Sequence, residues 1–184
     1  MIEPTDRDLV LRVRRGEADA YGELVRRYQA SVYNVCYRVM GERGEAEDLA
    51  QEAFIRGFQK LATFDEDRSF GPWIRRVALN LCYNHMRRYV PPRLPLDDER
   101  DMPLRNSEPS PETRHIHRER GEDIRAAILE LPPHYRVVIE LRHYQEMTYA
   151  DIAETLELPM SDVKSHLFRA RRLLAKRLIS YVQT

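Results

Sequence analysis

The stretch TYADIAETLELPMSDVKSHLFRARRLLAKR, Thr148 to Arg177, decides how the rest of the chain is read. Ile152, Ala153 and Leu156, then Val163, Leu167, Ala170, Leu173 and Leu174, keep a three-to-four spacing on both sides of Leu158-Pro159-Met160. That spacing predicts two helices and a short turn. Pro159 has no amide hydrogen and disfavours a helical Leu158, while Ser161 is suited to cap a helix starting at about Asp162. With the apolar positions turned inward, Lys164, Ser165, Phe168, Arg169 and Arg172 share the other face. After Asp162 the stretch carries Lys164, Arg169, Arg171, Arg172, Lys176 and Arg177 and no acid. A short helix, a tight turn and a basic second helix are the parts of a helix-turn-helix, whose second helix enters the major groove. A solvated basic face on an ordinary helical hairpin fits the charge run by itself.

Outward from that stretch, the chain of 184 residues has a formal net charge of zero, 42% apolar and 33% charged residues, and seven glycines. This balance favours amphipathic helices over sheet, and it makes the segregation of charge, not its sum, the informative quantity. No run approaches the roughly 18 apolar residues of a membrane span, and MIEPTDRD lacks a signal peptide's apolar segment, so a cytoplasmic protein without membrane insertion is expected. Cys36 and Cys82 fall within helical patterns and read as small buried hydrophobes. His115 and His117 lie in a polar segment without a nearby cysteine, and no metal or other cofactor is expected.

Toward the N-terminus, Leu9, Val10 and Val13 mark a short helix from Asp6 to Arg15 that Gly16 ends. A longer helix runs through Leu24, Tyr28, Val32, Val35, Cys36 and Val39 to Met40. The helix from Glu45 to Leu61 is expected to turn Ala46, Leu49, Ala50, Ala53, Phe54, Phe58 and Leu61 inward and Asp48, Gln51, Glu52 and Gln59 outward. Phe64 to Pro72 reads as an exposed acidic loop, with Pro72 in the first turn of the next helix. That helix has an apolar stripe, Trp73, Ile74, Val77, Ala78, Leu81, Cys82 and Met86, opposite Arg75, Arg76, Asn80, Asn84, Arg87 and Arg88. Amides can read base edges and arginines can hold phosphates, so this face is a second nucleic-acid candidate; it also suits a merely solvated helix.

Between Tyr89 and about Arg118 the pattern fails in a segment rich in proline and acid, expected to be a flexible linker. About 30 residues drawn taut span on the order of 90 to 100 Å. Beyond it come helices carrying Ile124, Ala127, Ile128 and Leu131, then Tyr135, Val137, Val138, Leu141 and Tyr144. The fold class is all-α: two small helical domains, 1–89 and 119–184, on a flexible linker, 90–118. No phosphate loop, zinc motif or nucleophile elbow occurs, so no enzyme and no small-molecule substrate is expected.

AEDLAQEAFIRGFQKLATFD (Ala46 to Asp65), FGPWIRRVALNLCYNHMRR (Phe70 to Arg88) and LPPHYRVVIELRHYQEMTYADIAETLELPMSDVKSHLFRARRLL (Leu131 to Leu174) resemble regions two and four of the sigma-70 family. The absence of the regions between them resembles the extracytoplasmic-function (ECF) subgroup. The resemblance implies a promoter-specificity subunit whose partners are core RNA polymerase, through its β′ clamp helices and β flap, promoter DNA and an anti-sigma protein. It implies polymerase contact at Asp48, Gln51, Glu52, Ile55 and Gln59. It implies recognition of the melted minus-ten strand by Ser69, Phe70, Trp73, Arg76, Asn80, Asn84, Arg87 and Arg88. Minus-thirty-five duplex contact falls to Lys164, Ser165, Phe168 and Arg169, with Arg171 and Arg172 on phosphate. Phe70 and Trp73 also suit a wholly core position, and core packing is the main role expected of Trp73. The chain departs from many relatives at Gly71-Pro72 and at Asn84, where aspartate is common. A sigma mimic that titrates an anti-sigma protein is the alternative reading.

Overall fold

The computed structural model describes residues 3–89 and 116–182; the expected linker lies outside them apart from its last three residues, which begin a helix. The His115 and His117 side chains lie outside as well. Among the described residues all regular structure is helical. The first bundle contains α1 (Asp6–Arg14), α2 (Asp19–Met40), α3 (Arg43–Lys60) with a 3-10 turn (Leu61–Thr63), and α4 (Phe70–Tyr89). The second contains α5 (Ile116–Leu129), α6 (Pro133–Ile139) with a π turn (Glu140–Tyr144), α7 (Tyr149–Leu156) and α8 (Met160–Val182).

Local chemistry sets the helix ends. Thr5 and Asp8 form a reciprocal capping box at α1, and Thr148 and Asp151 form another at α7, each threonine accepting from the third amide while the aspartate accepts from the threonine's own N–H. These hydrogen bonds hold both Asp8 and Asp151 carboxyls below their ordinary range. At the α7–α8 turn Glu157 takes the left-handed conformation with φ 53°, and the Leu158 amide returns to the Ala153 carbonyl at 2.9 Å. Ser161 does not cap α8. The helix begins two residues before the expected Asp162, at Met160, with the Asp162 and Val163 amides donating to the Pro159 carbonyl, so Ser161 lies inside the first turn.

Helices α2, α3 and α4 enclose Leu24, Val32, Cys36, Ala53, Ile74 and Leu79, and α6, α7 and α8 enclose Val137, Leu141, Ile152, Val163 and Leu167. Three inward assignments change. Phe58 is 47% exposed, its ring edge resting 5.0 Å from Tyr21, and the buried position beside it is held by Gly57. A Cβ at Gly57 would come within 2.6 Å of Ile74 Cδ1 and 2.8 Å of the Tyr21 hydroxyl, so a side chain there would displace the ends of those two side chains. Ile124 and Tyr144, grouped with the second bundle's apolar stripes, are 43% and 50% exposed.

The acidic loop is solvated only in its middle. Phe64 and Phe70 at its ends are buried, and Phe70 joins a ring cluster with Tyr21, Tyr28, Phe64 and Trp73 at centroid separations of 5.4 to 6.4 Å. Arg14 donates to the Leu61 and Phe64 carbonyls, pinning the loop to α1. Helix α4 therefore starts at Phe70, two residues before Pro72.

The two bundles are in contact. Helix α6 packs against both α2 and α4, α5 packs against α2, and α7 meets α4. A reading of two independent domains on a slack tether did not anticipate this shared face.

Candidate nucleic-acid and partner surfaces

The second bundle builds its candidate surface on α8. Val163, Leu167 and Ala170 are buried against α6 and α7, a register that turns Lys164, Ser165, Phe168, Arg171 and Arg172 to solvent. Phe168 is 67% exposed, a large apolar side chain amid cations, and Arg169 is half-buried. The Arg171 Nη1 lies 3.4 Å from the Tyr149 hydroxyl, tying the base of the surface to α7. Behind α8, His134, Tyr135 and His166 form a ring cluster with centroids 4.1 to 5.7 Å apart. Burial, reinforced by His166 and Arg169, pushes the His134 imidazole down to about 4; burial lowers His166 as well. Both rings are therefore neutral at neutral pH, and the positive charge of α8 lies on its outer side. A helix with cations, a hydroxyl and one aromatic ring on a solvated stripe can hold phosphates and touch base edges.

The first bundle holds the second candidate surface, along α4. Ser69, Asn84, Arg87 and Arg88 are exposed, while Trp73, Arg76 and Asn80 are half-buried. The Asn84 amide donates to Asn80 Oδ1 at 3.0 Å, aligning the two amides one turn apart. Phe70 takes the core alternative: at 1% exposure, inside the ring cluster, it does not stand on the surface where a strand would stack. Its place in the sequence, next to a serine and a glycine in a polar loop, hid the four aromatic partners that converge on it from α2, the loop and α4. The departure at Gly71 is also explained by packing. The Tyr28 ring covers that position so closely that a Cβ would lie 2.6 Å from its Cε1.

The third surface is the outer side of α3. Asp48, Gln51, Ile55 and Gln59 are exposed, and Glu52 is half-buried and paired with Arg56 at 2.7 Å. Phe58 adds to it: Ile55 and Phe58, three residues apart, give the polar face an apolar centre. Sequence periodicity placed Phe58 inward because one step around a helix separates it from Gly57, and glycine carries no apolar signal.

Four further residues were missed. Glu140 is 3% exposed, and its carboxylate takes both Arg38 Nε (2.9 Å) and Arg38 Nη2 (2.6 Å) across the bundle boundary. Gln145 donates to the same carboxylate and accepts from Arg75 Nε at 2.8 Å. Arg136 donates to the Val39 carbonyl at 2.7 Å, near the C-terminus of α2, and burial lowers this guanidinium to about 10. Among the described residues, no group of three or more His, Cys, Asp or Glu is placed to hold a metal, and no helix is long and apolar enough to cross a membrane.

Family models match in two places: Sigma-70 region 2 over residues 24–90 and Sigma-70, region 4 over residues 121–174. The chain is 34% identical to the ECF RNA polymerase sigma factor SigW of Bacillus subtilis (strain 168), over 92% of this chain and 94% of the relative. It is 33% identical to the RNA polymerase sigma-H factor of Pseudomonas aeruginosa, covering 97% and 96%. Against the ECF RNA polymerase sigma-E factor of Escherichia coli (strain K12) the identity is 32%, with 92% of each covered. The fold is similar to that of CnrH in its complex with the cytosolic domain of CnrY, with TM-score 0.56 and 24% identity over 95% of this chain and 97% of the other.

Proposed function

We propose, for a chain that belongs to the sigma-70 family and within it to the extracytoplasmic-function subgroup, a non-catalytic role as the promoter-specificity subunit of bacterial RNA polymerase, exercised in the cytoplasm. The observation that carries this reading is a division of labour between bundles. One chain exposes a cationic recognition helix in a helix-turn-helix and, in the other bundle, an α3 face of Asp48, Gln51, Ile55 and Gln59 with no DNA-binding character. A face of acids and amides around Ile55 and Phe58 suits a protein partner, since acids repel phosphate while an exposed apolar pair supports docking.

In this role α3 docks on the β′ clamp helices of core polymerase, α8 lies in the major groove at the minus-thirty-five element, and α4 with its preceding loop holds the melted minus-ten strand. Lys164, Ser165 and Arg169 are the candidates for base edges, Phe168 for a thymine methyl, and Arg171 and Arg172 for phosphate. On α4, the Asn80–Asn84 pair is suited to the Watson–Crick edges of unpaired bases, with Arg76, Arg87 and Arg88 on the backbone. An anti-sigma protein is the expected regulator.

Run-off transcription by core polymerase, with and without the protein, tests the function. Specific initiation at a subset of promoters is the expected result; unchanged transcription across the panel overturns it. Co-purification of an anti-sigma protein from the native cell, stable at high salt, tests the regulator.

A further inference from the structure

The loop between the 3-10 turn and α4 is an acidic stretch beside a surface assigned to nucleic acid. Residues 65–69 include Asp65, Glu66 and Asp67, and only Phe64 and Phe70, which flank them, are buried. Five polar residues between two anchors have little packing to select one conformation. A hydrogen bond discriminates between bases only when its donor and acceptor are held in place, so a loop that selects a base needs support from outside itself.

That support is α1. Arg14, in its last turn, spreads one guanidinium over three acceptors. Its Nε and Nη2 donate to the Leu61 carbonyl at 3.2 and 3.1 Å, Nη2 also donates to the Phe64 carbonyl, and Nη1 donates to Glu66 Oε2 at 2.5 Å. Leu61 and Phe64 bracket the 3-10 turn, at whose end carbonyls lack partners within the helix and a cation is favoured. Arg7, two turns earlier on α1, lies 3.5 Å from Glu66 and 3.6 Å from Asp67, and Arg68 pairs with Asp65 at 3.1 Å. Each carboxylate of the loop therefore has a guanidinium partner, and the acidic stretch can lie beside a phosphate backbone without presenting its full charge. At the loop's other end, Tyr28 packs against Phe70 and covers Gly71, and its hydroxyl donates to Asp6 in the first turn of α1. One helix thus holds both the entry and the exit of the loop.

We propose that Arg14 is a positioning residue for base preference at the minus-ten element: without touching DNA, it fixes the backbone of residues 64–69 and with it the placement of Ser69. Two carbonyls and a carboxylate in this arrangement match the planar fork of a guanidinium and not the point charge of a lysine ammonium. The consequence for base preference rests on the reading of α4 and its preceding loop as the surface for the melted strand; the anchoring of the loop stands on geometry alone.

The test compares Arg14→Lys and Arg14→Gln with Arg15→Gln, which removes a cation from the neighbouring exposed position. In the full chain without polymerase or DNA, hydrogen exchange of the backbone amides in residues 61–70 should rise about tenfold in both Arg14 variants. It should stay unchanged in Arg15→Gln, and α2 and α8 should exchange as in the parent chain. With core polymerase added, run-off transcription is measured from promoters carrying each of the four bases at the minus-ten positions. The preference for the favoured base should fall several-fold in both Arg14 variants, while their competition with the parent chain for core polymerase is unchanged. Arg14→Lys keeps the charge and most of the side chain, so it serves as the variant that folds where Arg14→Gln does not. Exchange in residues 61–70 that the Arg14 variants leave unmoved, exchange that rises throughout the first bundle, or a base preference that survives a loosened loop overturns the proposal. A parent chain that initiates at no promoter sinks the transcriptional role instead, and the exchange measurement still decides whether Arg14 holds the loop.

Discussion

Helices α4 and α8 both read as amphipathic helices with cations and hydrogen-bonding side chains opposite an apolar stripe, yet they meet the solvent differently. Helix α8 presents Lys164, Ser165, Phe168, Arg171 and Arg172 openly. Helix α4 keeps Arg76 and Asn80 half-covered, with α6 and α7 lying against it and the acids Asp151 and Asp162 nearby. Even their phenylalanines part ways: Phe168 is 67% exposed and Phe70 is 1% exposed. Side-chain pattern along a helix reports what a face can bind. Whether the face is open depends on contacts between elements far apart in the chain.

The sharpest way to break this comparison is to remove the two rings. Phe70→Ala takes a side chain out of a five-ring cluster and should cost about 3–5 kcal/mol of stability in a denaturant melt. A loss below about 0.5 kcal/mol would mean that Phe70 is a surface residue after all. On α8, Lys164→Ala should leave the melt unchanged and lower promoter binding by the holoenzyme, in a mobility-shift titration, by about 1–3 kcal/mol if it meets a base edge. If it meets only phosphate, the loss is uniform across sequences and the salt slope falls by about 1.

The support beneath α8 gives a pH test. His134 is held neutral in the folded chain, with its folded value lowered to about 4 against an ordinary value of 6.5. Between those values the unfolded chain binds the extra proton, so stability is full above pH 6.5 and declines as the pH falls toward 4. The loss should approach about 3 kcal/mol over that window, and His134→Phe should reduce it, His166 keeping its own share; an unchanged slope in the variant would remove His134 from the account. The capping carboxylates Asp8 and Asp151, lowered from about 3.8, lose their contribution only at more acid pH and do not confuse the window. The smallest expected effect closes the comparison: Phe168→Ala should change stability by no more than about 0.5 kcal/mol while weakening promoter binding.

The helices were legible because apolar spacing survives in the sequence whatever the helices pack against. The exposed stripe of α8 was equally legible, its inward positions Val163, Leu167 and Ala170 leaving one register for the rest. Phe70 was legible only as an open choice between strand contact and core, since its burial comes from Tyr21 and Tyr28 more than 40 residues earlier and a Phe64–Trp73 pair that only the folded loop brings together. Glu140 was not, since an acid between Ile139 and Leu141 reads as the solvent side of a helix, and only the π turn and Arg38 make its burial tolerable. Arg75 was read on a candidate nucleic-acid face and Arg136 carried no signal of its own, because guanidinium chemistry does not distinguish a phosphate from an amide oxygen of a neighbouring bundle.

The central claim is that the two bundles act at two places on one promoter. It is tested most directly by footprinting the complex of core polymerase, this protein and a promoter whose transcript appears on overexpression, using permanganate for unpaired thymines and a nuclease for protected duplex. Thymine reactivity at the minus-ten element together with duplex protection at the minus-thirty-five element, both lost without the protein, is the predicted result. Reactivity that core polymerase produces alone, or opening without upstream protection, would contradict it.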